Sequence, residues 1–484
     1  MKRRIMHFDQ IVVLTIFIVS LGVYAYTASP TIVPGDSTEM VTAILTLGVP
    51  HQPSYPLYVL LGNLVTKLVW WGNLPWRANV TASFYHSLAL VFLFWFSKDA
   101  FLKKGTSRLK LLALAVGILW TGFGRVYWEY ATYAEVGSLT TLLTAMFLWL
   151  GNKYLIGGEN SIRYLYLTAG VYGIALAHHQ IVVFLSIPML AALFLHRKLH
   201  WKDISAPARE IYKLVIGQKN PDESRRILSQ NWSILKFSGL SFGLGLATYG
   251  LLLILAFRQP SLNWGNPRNF WDLVSAFTRQ DFGGAISPAL LERTVPAGWQ
   301  THLSFFATML SLDVTYWWLG TVVVGLVIAW RRRQREILIL LLCFLFSGPV
   351  FFVVSRYPLG NEFSAATIRK FYILPEMFLG LIGVYGLVCL IAWFEERIDT
   401  DIRKTRQQLA RFSLSLILVG SVGVAVYFQF PAVNRHAYSL SEDIMDASLA
   451  GVPEKAIVMP VGDIMGMGMD YEAIVAGERK EREI

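Results

Sequence analysis

Asp36 and Glu39 stand three residues apart in the run P-G-D-S-T-E-M, Pro34 to Met40. That spacing brings both carboxylates to one face of a helix. Carboxylates so placed can take the proton of an attacking hydroxyl. The same residues can also open a helix, with Asp36 or Ser37 as the cap and Glu39 supporting the first turn. Local spacing leaves these two readings level. The next stretch, L-G-V-P-H-Q-P-S-Y-P-L-Y from Leu47 to Tyr58, carries three prolines, two tyrosines and one histidine. Proline at that density sets a rigid turn rather than a helix. A lone histidine usually has a structural role, but this backbone would hold His51 where it can donate to a phosphate, with Tyr55 in the same turn.

The basic residues suited to chemistry lie far along the chain. Arg268, Arg279, Arg369 and Lys370 are candidates to hold a phosphate, because guanidinium forks and ammonium groups suit its oxygens. Each taken singly serves equally well as a membrane-interface anchor. Trp264 can stack on a sugar or face an acceptor, or it can sit as an interfacial tryptophan. Glu129 is expected only to pair locally or face water. No H-E-x-x-H occurs, and no D-x-D falls in the segments placed outside the membrane below. Asp36, Glu39 and His51 would make a thin ligand set for a divalent ion, so neither a metal nor a cofactor is expected.

Membrane helices must position these groups. Of the 484 residues, 54% are hydrophobic, 14% aromatic and only 15% charged, too little charge to cover a soluble domain of this length. Apolar runs long enough for a hydrocarbon core of roughly 30 Å recur from end to end. The first, Ile11 to Ala28, is not followed by a convincing small-residue cleavage site and reads as a retained helix. The net charge of +11 does not mark a nucleic-acid partner, whose footprint would spread over one face. It crowds the short loops instead, as the positive-inside rule requires. Cys343 and Cys389 lie inside apolar runs without metal-ligand spacing and read as packing residues. The glycines from Gly239 to Gly250 suit close helix packing better than a nucleotide cradle.

Basic clusters at Lys2 to Arg4, Lys98 to Lys110, Lys153 with Arg163, His196 to Lys236, Arg331 to Arg335 and Arg397 to Arg411 mark cytoplasmic ends. They alternate if the spans are 10–28, 81–97, 110–124, 136–151, 164–177, 179–195, 237–257, 316–330, 337–355, 372–394 and 412–430. That makes about eleven, with the N-terminus cytoplasmic and the C-terminus external. Pro56 to Trp71 is short, holds Lys67 and ends in a Trp-Trp pair. Its crossing would put Lys98 to Lys110 outside, so an interfacial or re-entrant helix on the outer face is expected. The run 163–195 breaks at His178-His179 into two short helices, which suggests a cavity. The expected organisation is a membrane module over 1–430, with external loops at 29–79 and 258–315, followed by an external segment over 431–484. No internal repeat of transporter type is evident. The short tail and the lack of targeting signals point to a prokaryotic plasma membrane.

With D-x-x-E after the first span and the G-x-P-H-x-P-x-Y-P-L turn, the chain resembles a family of multi-pass membrane glycosyltransferases in the GT-C superfamily. That family was formerly a domain of unknown function and includes a vertebrate IPT-domain protein O-mannosyltransferase. Further elements agree in order. W-E-Y-A-T-Y-A-E-V (Trp128 to Val136) is similar to a W…A…A-E-V-Y element, with Gly137 where tyrosine is usual. G-I-A-L-A-H-H-Q (Gly173 to Gln180) is similar to a helix break with His178 in place of asparagine. L-N-W-G-N-P-R-N (Leu262 to Asn269) followed by T-R-Q-D-F-G (Thr278 to Gly283) is the most specific later match. R-K-F-Y-I-L-P (Arg369 to Pro375) resembles an R-F-F-L-P element with Lys370 at the arginine position, and K-A-I-V-M-P-V-G-D (Lys455 to Asp463) has the family's look. Family members usually continue into a larger soluble region.

The resemblance implies an all-α polytopic membrane protein with a GT-C-like bundle. It implies transfer of a sugar, mannose in the recognised relative, from a polyprenyl-phosphate carrier to an acceptor. That acceptor would be serine or threonine of a protein, or else a glycan or lipid, on the non-cytoplasmic face. Asp36 matches the catalytic acidic position, with Glu39 beside it. His51, Tyr55, Glu135, His178, His179, Trp264, Arg268, Arg279, Arg369 and Lys370 would line the substrates. The chemistry is coherent: inversion at the sugar needs a carboxylate base, and the departing phosphate needs positive charge or hydrogen-bond donors. The bilayer and an apolar groove among helices would take the lipid tail. A transporter or flippase for a lipid-linked or anionic substrate is the second reading. Transporters place ionisable groups near the midplane, whereas here they fall in loops and at helix ends. A scaffold without a reaction remains if Asp36 only caps a helix.

Overall fold

The computed structural model describes residues 2–103, 105–158, 161–196, 221–284, 298–313, 316–355, 359, 367–401, 404–453, 456 and 458–476. Helices form almost all of it; among these residues the β-structure is one isolated parallel bridge, Val49 with Asn263. In chain order the helices begin with α1 (Lys2–Thr27), α2 (Asp36–Thr46), α3 (Pro56–Leu68), α4 (Leu74–Phe101), α5 (Arg108–Gly122), α6 (Arg125–Glu129) and α7 (Gly137–Ile156). Next come α8 (Ile162–His178), α9 (Ser186–Leu195), α10 (Pro221–Leu246), α11 (Leu251–Phe257), α12 (Phe270–Phe277) and α13 (Trp299–Asp313). The remainder are α14 (Tyr316–Arg332), α15 (Arg335–Leu345), α16 (Phe351–Ser355), α17 (Ile373–Asp401), α18 (Lys404–Val433), α19 (Leu440–Ala450) and α20 (Asp463–Tyr471).

The expected all-α membrane bundle is therefore what the chain forms. Among the described residues seven helical stretches are long and apolar enough to cross a bilayer, or eight if the bent pair Trp299–Asp313 and Trp318–Arg332 is one span: Phe8–Thr27, Leu74–Phe101, Gly137–Ile156, Trp232–Phe257, Arg335–Ser355, Arg369–Ile398 and Lys404–Val433 are the seven. They fall on seven of the eleven expected spans. The other four expected spans, 110–124, 164–177, 179–195 and 316–330, fall on α5, α8, α9 and α14, of 15, 17, 10 and 17 residues. A single crossing takes about 20 residues, so length alone supports seven. Pro56 to Trp71 is a 13-residue helix, α3, roughly 20 Å long at 1.5 Å per residue and too short for a full crossing. Trp70 and Trp71 beyond its end are exposed. The expected boundary at 430/431 lies inside α18, which runs through Pro431 to Val433.

α4, α7 and α17 are buried along most of their length and form the centre, while α18 has little of its apolar surface covered by protein. Leu416, Ile417, Val419, Tyr427 and Phe428 on α18 are all exposed, a surface suited to lipid. Close approach depends on glycine in two places. A methyl group on Gly173 of α8 would sit 2.2 Å from the Phe242 carbonyl of α10, and one on Gly245 would sit 2.2 Å from that of Gly170. One on Gly386 of α17 would sit 1.9 Å from the Thr321 carbonyl of α14. The small-residue stretch around Gly245 is thus a backbone-to-backbone contact, as expected for membrane helices.

The polar groups separate to the two ends of the bundle. One end carries Asp99 with Lys153 at 2.8 Å, Glu395 with Lys110 at 3.3 Å, and Asp9 with Lys98. The other end carries the first loop and the residues singled out above. Gly173→Leu should force α8 and α10 apart and cost about 1–3 kcal/mol, read as a lower unfolding temperature in detergent. Gly250→Ala, where a methyl group meets nothing within 4 Å, should leave that temperature unchanged.

Candidate functional site

α2 begins at Asp36 because Gly35, at φ +88°, turns the chain there, a conformation that side chains with a Cβ disfavour. Neither carboxylate caps the helix: the cap residue is Gly35 and no side chain bonds the first-turn amides. That removes the capping reading of Asp36 and Glu39. Instead each carboxylate takes a tertiary partner. Glu39 accepts from the His51 amide at 2.8 Å through Oε1 and engages the His51 ring nitrogen Nδ1 through Oε2. Asp36 Oδ2 accepts from Lys370 Nζ at 2.5 Å.

Lys370 comes from the tight turn Arg369–Tyr372 that opens α17. Its ammonium also lies 3.6 Å from Glu135 Oε1, and Glu135 sits just ahead of α7. The segment between α1 and α4 is thereby joined to two central helices by one cation. Asn79 on α4 supports the same corner: its amide donates to the Ser29 and Thr31 carbonyls at 2.9 Å, and its oxygen accepts from the Ala134 amide at 2.9 Å. His178 Nε2 lies 3.0 Å from the Val136 carbonyl, next to Glu135. His179 ends the helix break by accepting from the Ile181 amide at 3.2 Å.

The proline turn is held by the distant loop at 262–284. The Val49 amide donates to the Leu262 carbonyl at 2.8 Å, and the Trp264 amide donates to the Val49 carbonyl at 2.9 Å. Gly48 makes this contact possible, since a methyl group there would lie 2.9 Å from the Leu262 carbonyl oxygen. Tyr249 donates to the Pro53 carbonyl at 2.9 Å, and Gln52 accepts from the Asp281 amide at 3.1 Å. The His51 ring is then surrounded edge-on by Tyr55, Trp264 and Phe282, with centroids 6.0, 6.4 and 6.0 Å away. Trp264 is half exposed and donates through its indole to Asp281 at 2.9 Å. Arg279 adopts φ +57° just after α12, and its guanidinium lies over the Phe282 ring at 5.3 Å. Its Nε is buried without a hydrogen-bond partner among the described residues.

Electrostatics follow from this arrangement. Burial opposes ionisation of Asp36, but the Lys370 ammonium outweighs it, with His51 and Arg279 adding to the pull, and holds the carboxyl well below the usual range. Burial also opposes protonation of His51, yet the bond to Glu39 and the charges of Glu39 and Asp36 raise its pKa above the ordinary value. Glu135 is raised, because burial outweighs the pull of Lys370. Burial pushes Tyr55 up to about 12, so its phenol stays protonated near neutrality.

Asp36, Glu39, His51, Tyr55, Glu135, His178, His179, Trp264, Arg279 and Lys370 are thus brought into one corner. Arg268 is not: it is exposed and donates at 2.7 Å to the Asn266 side-chain oxygen when that amide is turned toward it. Arg369 faces the other way from its neighbour Lys370, into a second cluster. There it bonds Asp313 at 2.8 Å and Glu129 at 3.2 Å. Glu129 also receives Arg435, from beyond the last span, at 2.9 Å. The expectation of a purely local role for Glu129 is corrected, since its partners lie hundreds of positions away. Asp313 and Arg435 were not singled out by spacing; an arginine directly after a last span is the one available cue. Among the described residues no group of three His, Cys, Asp or Glu side chains is arranged to hold a metal.

The fold and site define an all-helical membrane protein in which the segment after the first long helix presents a carboxylate to a partly buried lysine. Residues 36–204 match the family model described as the protein O-mannosyl-transferase TMEM260 N-terminal domain. The chain is 22% identical to protein O-mannosyl-transferase tmem260 of Dictyostelium discoideum, over 94% of this chain and 54% of that protein. It is 22% identical to protein O-mannosyl-transferase TMEM260 of Mus musculus, over 95% of this chain and 60% of that protein. The resemblance read from the motifs is therefore borne out, and the chain spans between half and two thirds of the length of these relatives.

The His51–Glu39 pair yields a pH prediction. A raised folded-state pKa means its stabilisation is fully present below the unfolded value of about 6.5 and is lost as pH rises through the folded value. Wild-type protein should therefore out-melt His51→Gln most clearly in mildly acidic buffer, with the gap closing on raising the pH. A gap independent of pH would remove this linkage.

Proposed function

We propose that the protein is a GT-C type glycosyltransferase. It moves a sugar, with mannose the first candidate, from a polyprenyl-phosphate donor to a serine or threonine hydroxyl of an acceptor protein on the non-cytoplasmic face. The observation that carries this reading is the meeting of Asp36 with Lys370 at 2.5 Å, within electrostatic range of Arg279, whose buried Nε has no hydrogen-bond partner among the described residues. A base and two cations at one point suit a reaction in which a hydroxyl attacks carbon and a phosphate departs. The printed names of the relatives, protein O-mannosyl-transferases in both cases, support the sugar and the acceptor class.

In this reading the acceptor oxygen attacks the anomeric carbon from the face opposite the phosphate, and its proton passes to the Asp36 carboxylate. As the new C–O bond forms, the bond from the anomeric carbon to the phosphate oxygen breaks, and its electron pair stays on that oxygen as added negative charge. Lys370 and Arg279 meet that charge; guanidinium and ammonium groups both bind phosphate oxygens strongly. Trp264, half exposed above His51, offers a face for the sugar. The chain supplies the positive charge itself, so no metal is called for, and chelators should leave the rate unchanged. The concentration of ionisable groups at one end of the bundle favours this reading over a transporter, whose charges gather near the midplane.

Two experiments test it. With purified protein, a polyprenyl-phosphate sugar labelled in its headgroup and a membrane extract as acceptor, Asp36→Asn should lower transfer on the order of 10²–10⁴-fold while folding is intact. Full activity in that variant sinks the assignment of Asp36, and uptake of label without transfer favours a transporter. For orientation, a cysteine replacing Lys67 should label from outside intact cells, and cysteines in Lys98 to Lys110 only after permeabilisation. Labelling of both from outside would overturn the proposed sidedness.

A further inference from the structure

We propose that Lys370 changes partners during the cycle: in the empty site it neutralises Asp36, and when donor binds it passes to the donor's phosphate, so that the base is released only in a site already loaded with lipid-linked sugar. The inference rests on the donor reading above and adds to it an order of events. Its geometric basis is that one partly buried ammonium stands between two carboxylates, 2.5 Å from Asp36 Oδ2 and 3.6 Å from Glu135 Oε1. The nearer contact occupies one oxygen of the Asp36 carboxylate and holds the negative charge that a catalytic base would offer to the acceptor hydroxyl. The farther one leaves Glu135 Oε1 buried without a hydrogen bond.

A partly buried ion pair does not open to nothing. Separating it without replacement leaves an uncompensated charge on each side, and that costs far more than the pair is worth in stability. Another anion must take the lysine. A phosphate diester, entering toward the Arg279 Nε that has no hydrogen-bond partner among the described residues, brings one negative charge toward both cations. Asp36 then needs a new donor, and an acceptor hydroxyl arriving second supplies it. The His51–Glu39 pair remains closed throughout and keeps its positive charge near Asp36. The low proton affinity of Asp36 with Lys370 in place fits a base that is poor until the ammonium moves. The order also protects the donor: a free carboxylate in the presence of water and bound sugar would promote hydrolysis, whereas here the carboxylate stays paired until phosphate displaces it.

The expectation is counter-intuitive for a base, which makes it testable by binding alone. Affinity for sugar-free polyprenyl phosphate is measured on purified full-length chain in lipid nanodiscs. Asp36→Asn removes the competitor for the ammonium and should bind the phosphate at least about tenfold tighter than wild type, a difference well within equilibrium titration. Lys370→Met should bind it at least about tenfold weaker. Asp36→Ser carries the same expectation as Asp36→Asn and serves if the asparagine variant does not fold. Unchanged or weaker binding in folded Asp36 variants, with wild type binding normally, overturns the exchange and leaves the donor assignment standing. Wild-type protein that binds no polyprenyl phosphate overturns the donor assignment and the exchange with it.

Discussion

Everything at the site end of this bundle depends on one partly buried cation. Lys370 opens the most central helix, α17, and meets Asp36 of the first loop and Glu135 ahead of α7. A charge taken out of water must be answered by opposite charge at close range. The lysine therefore fixes where the two acidic segments lie. Its neighbour Arg369 does the same for a second set, Asp313 and Glu129, and Glu129 in turn holds Arg435. Two consecutive residues of one turn thus point to different clusters and tie together segments from the first loop to the end of the last long helix.

The irregular backbone around this centre is satisfied locally and completely enough to be rigid. Asn79 spends its full amide on three main-chain groups of two different loops. The proline turn is joined to the Leu262–Asn269 loop by two main-chain hydrogen bonds that Gly48 allows to form. Tyr249 and Gln52 add further ties. Non-helical chain near membrane depth survives only where such partners replace water. The aromatic rings around His51 supply a dry wall, within which charges act more strongly than they would in solvent.

The site residues divide by what their neighbours leave free. Arg369 is consumed by two carboxylates and Arg268 turns to solvent, so neither contributes an open phosphate fork in this structure. Arg279 has no carboxylate paired with it among the described residues, and its buried Nε lacks a hydrogen-bond partner among them. The four phosphate candidates, Arg268, Arg279, Arg369 and Lys370, look equivalent in the chain and are inequivalent in space.

Much was legible beforehand, for a physical reason: hydropathy, charge bias and proline content are properties of short windows. The membrane class, the helix break at His178-His179, the proline turn and the acidic pair at Asp36 and Glu39 all follow from such windows. So does α3 as a short apolar helix. The capping role of Asp36 could not be excluded in that way, because spacing permits it and only the tertiary partner decides. Nor could the partner of Glu129 be found, since Arg435 lies 306 positions away and comes near only when the helix ends pack. The sequence by itself determined that the chain is a multi-pass helical membrane protein and which side chains are chemically able. The tertiary structure alone decided that Lys370 rather than Arg369 meets Asp36, because pairing among charges depends on which helix ends meet, and that is settled by packing along the whole length of the bundle.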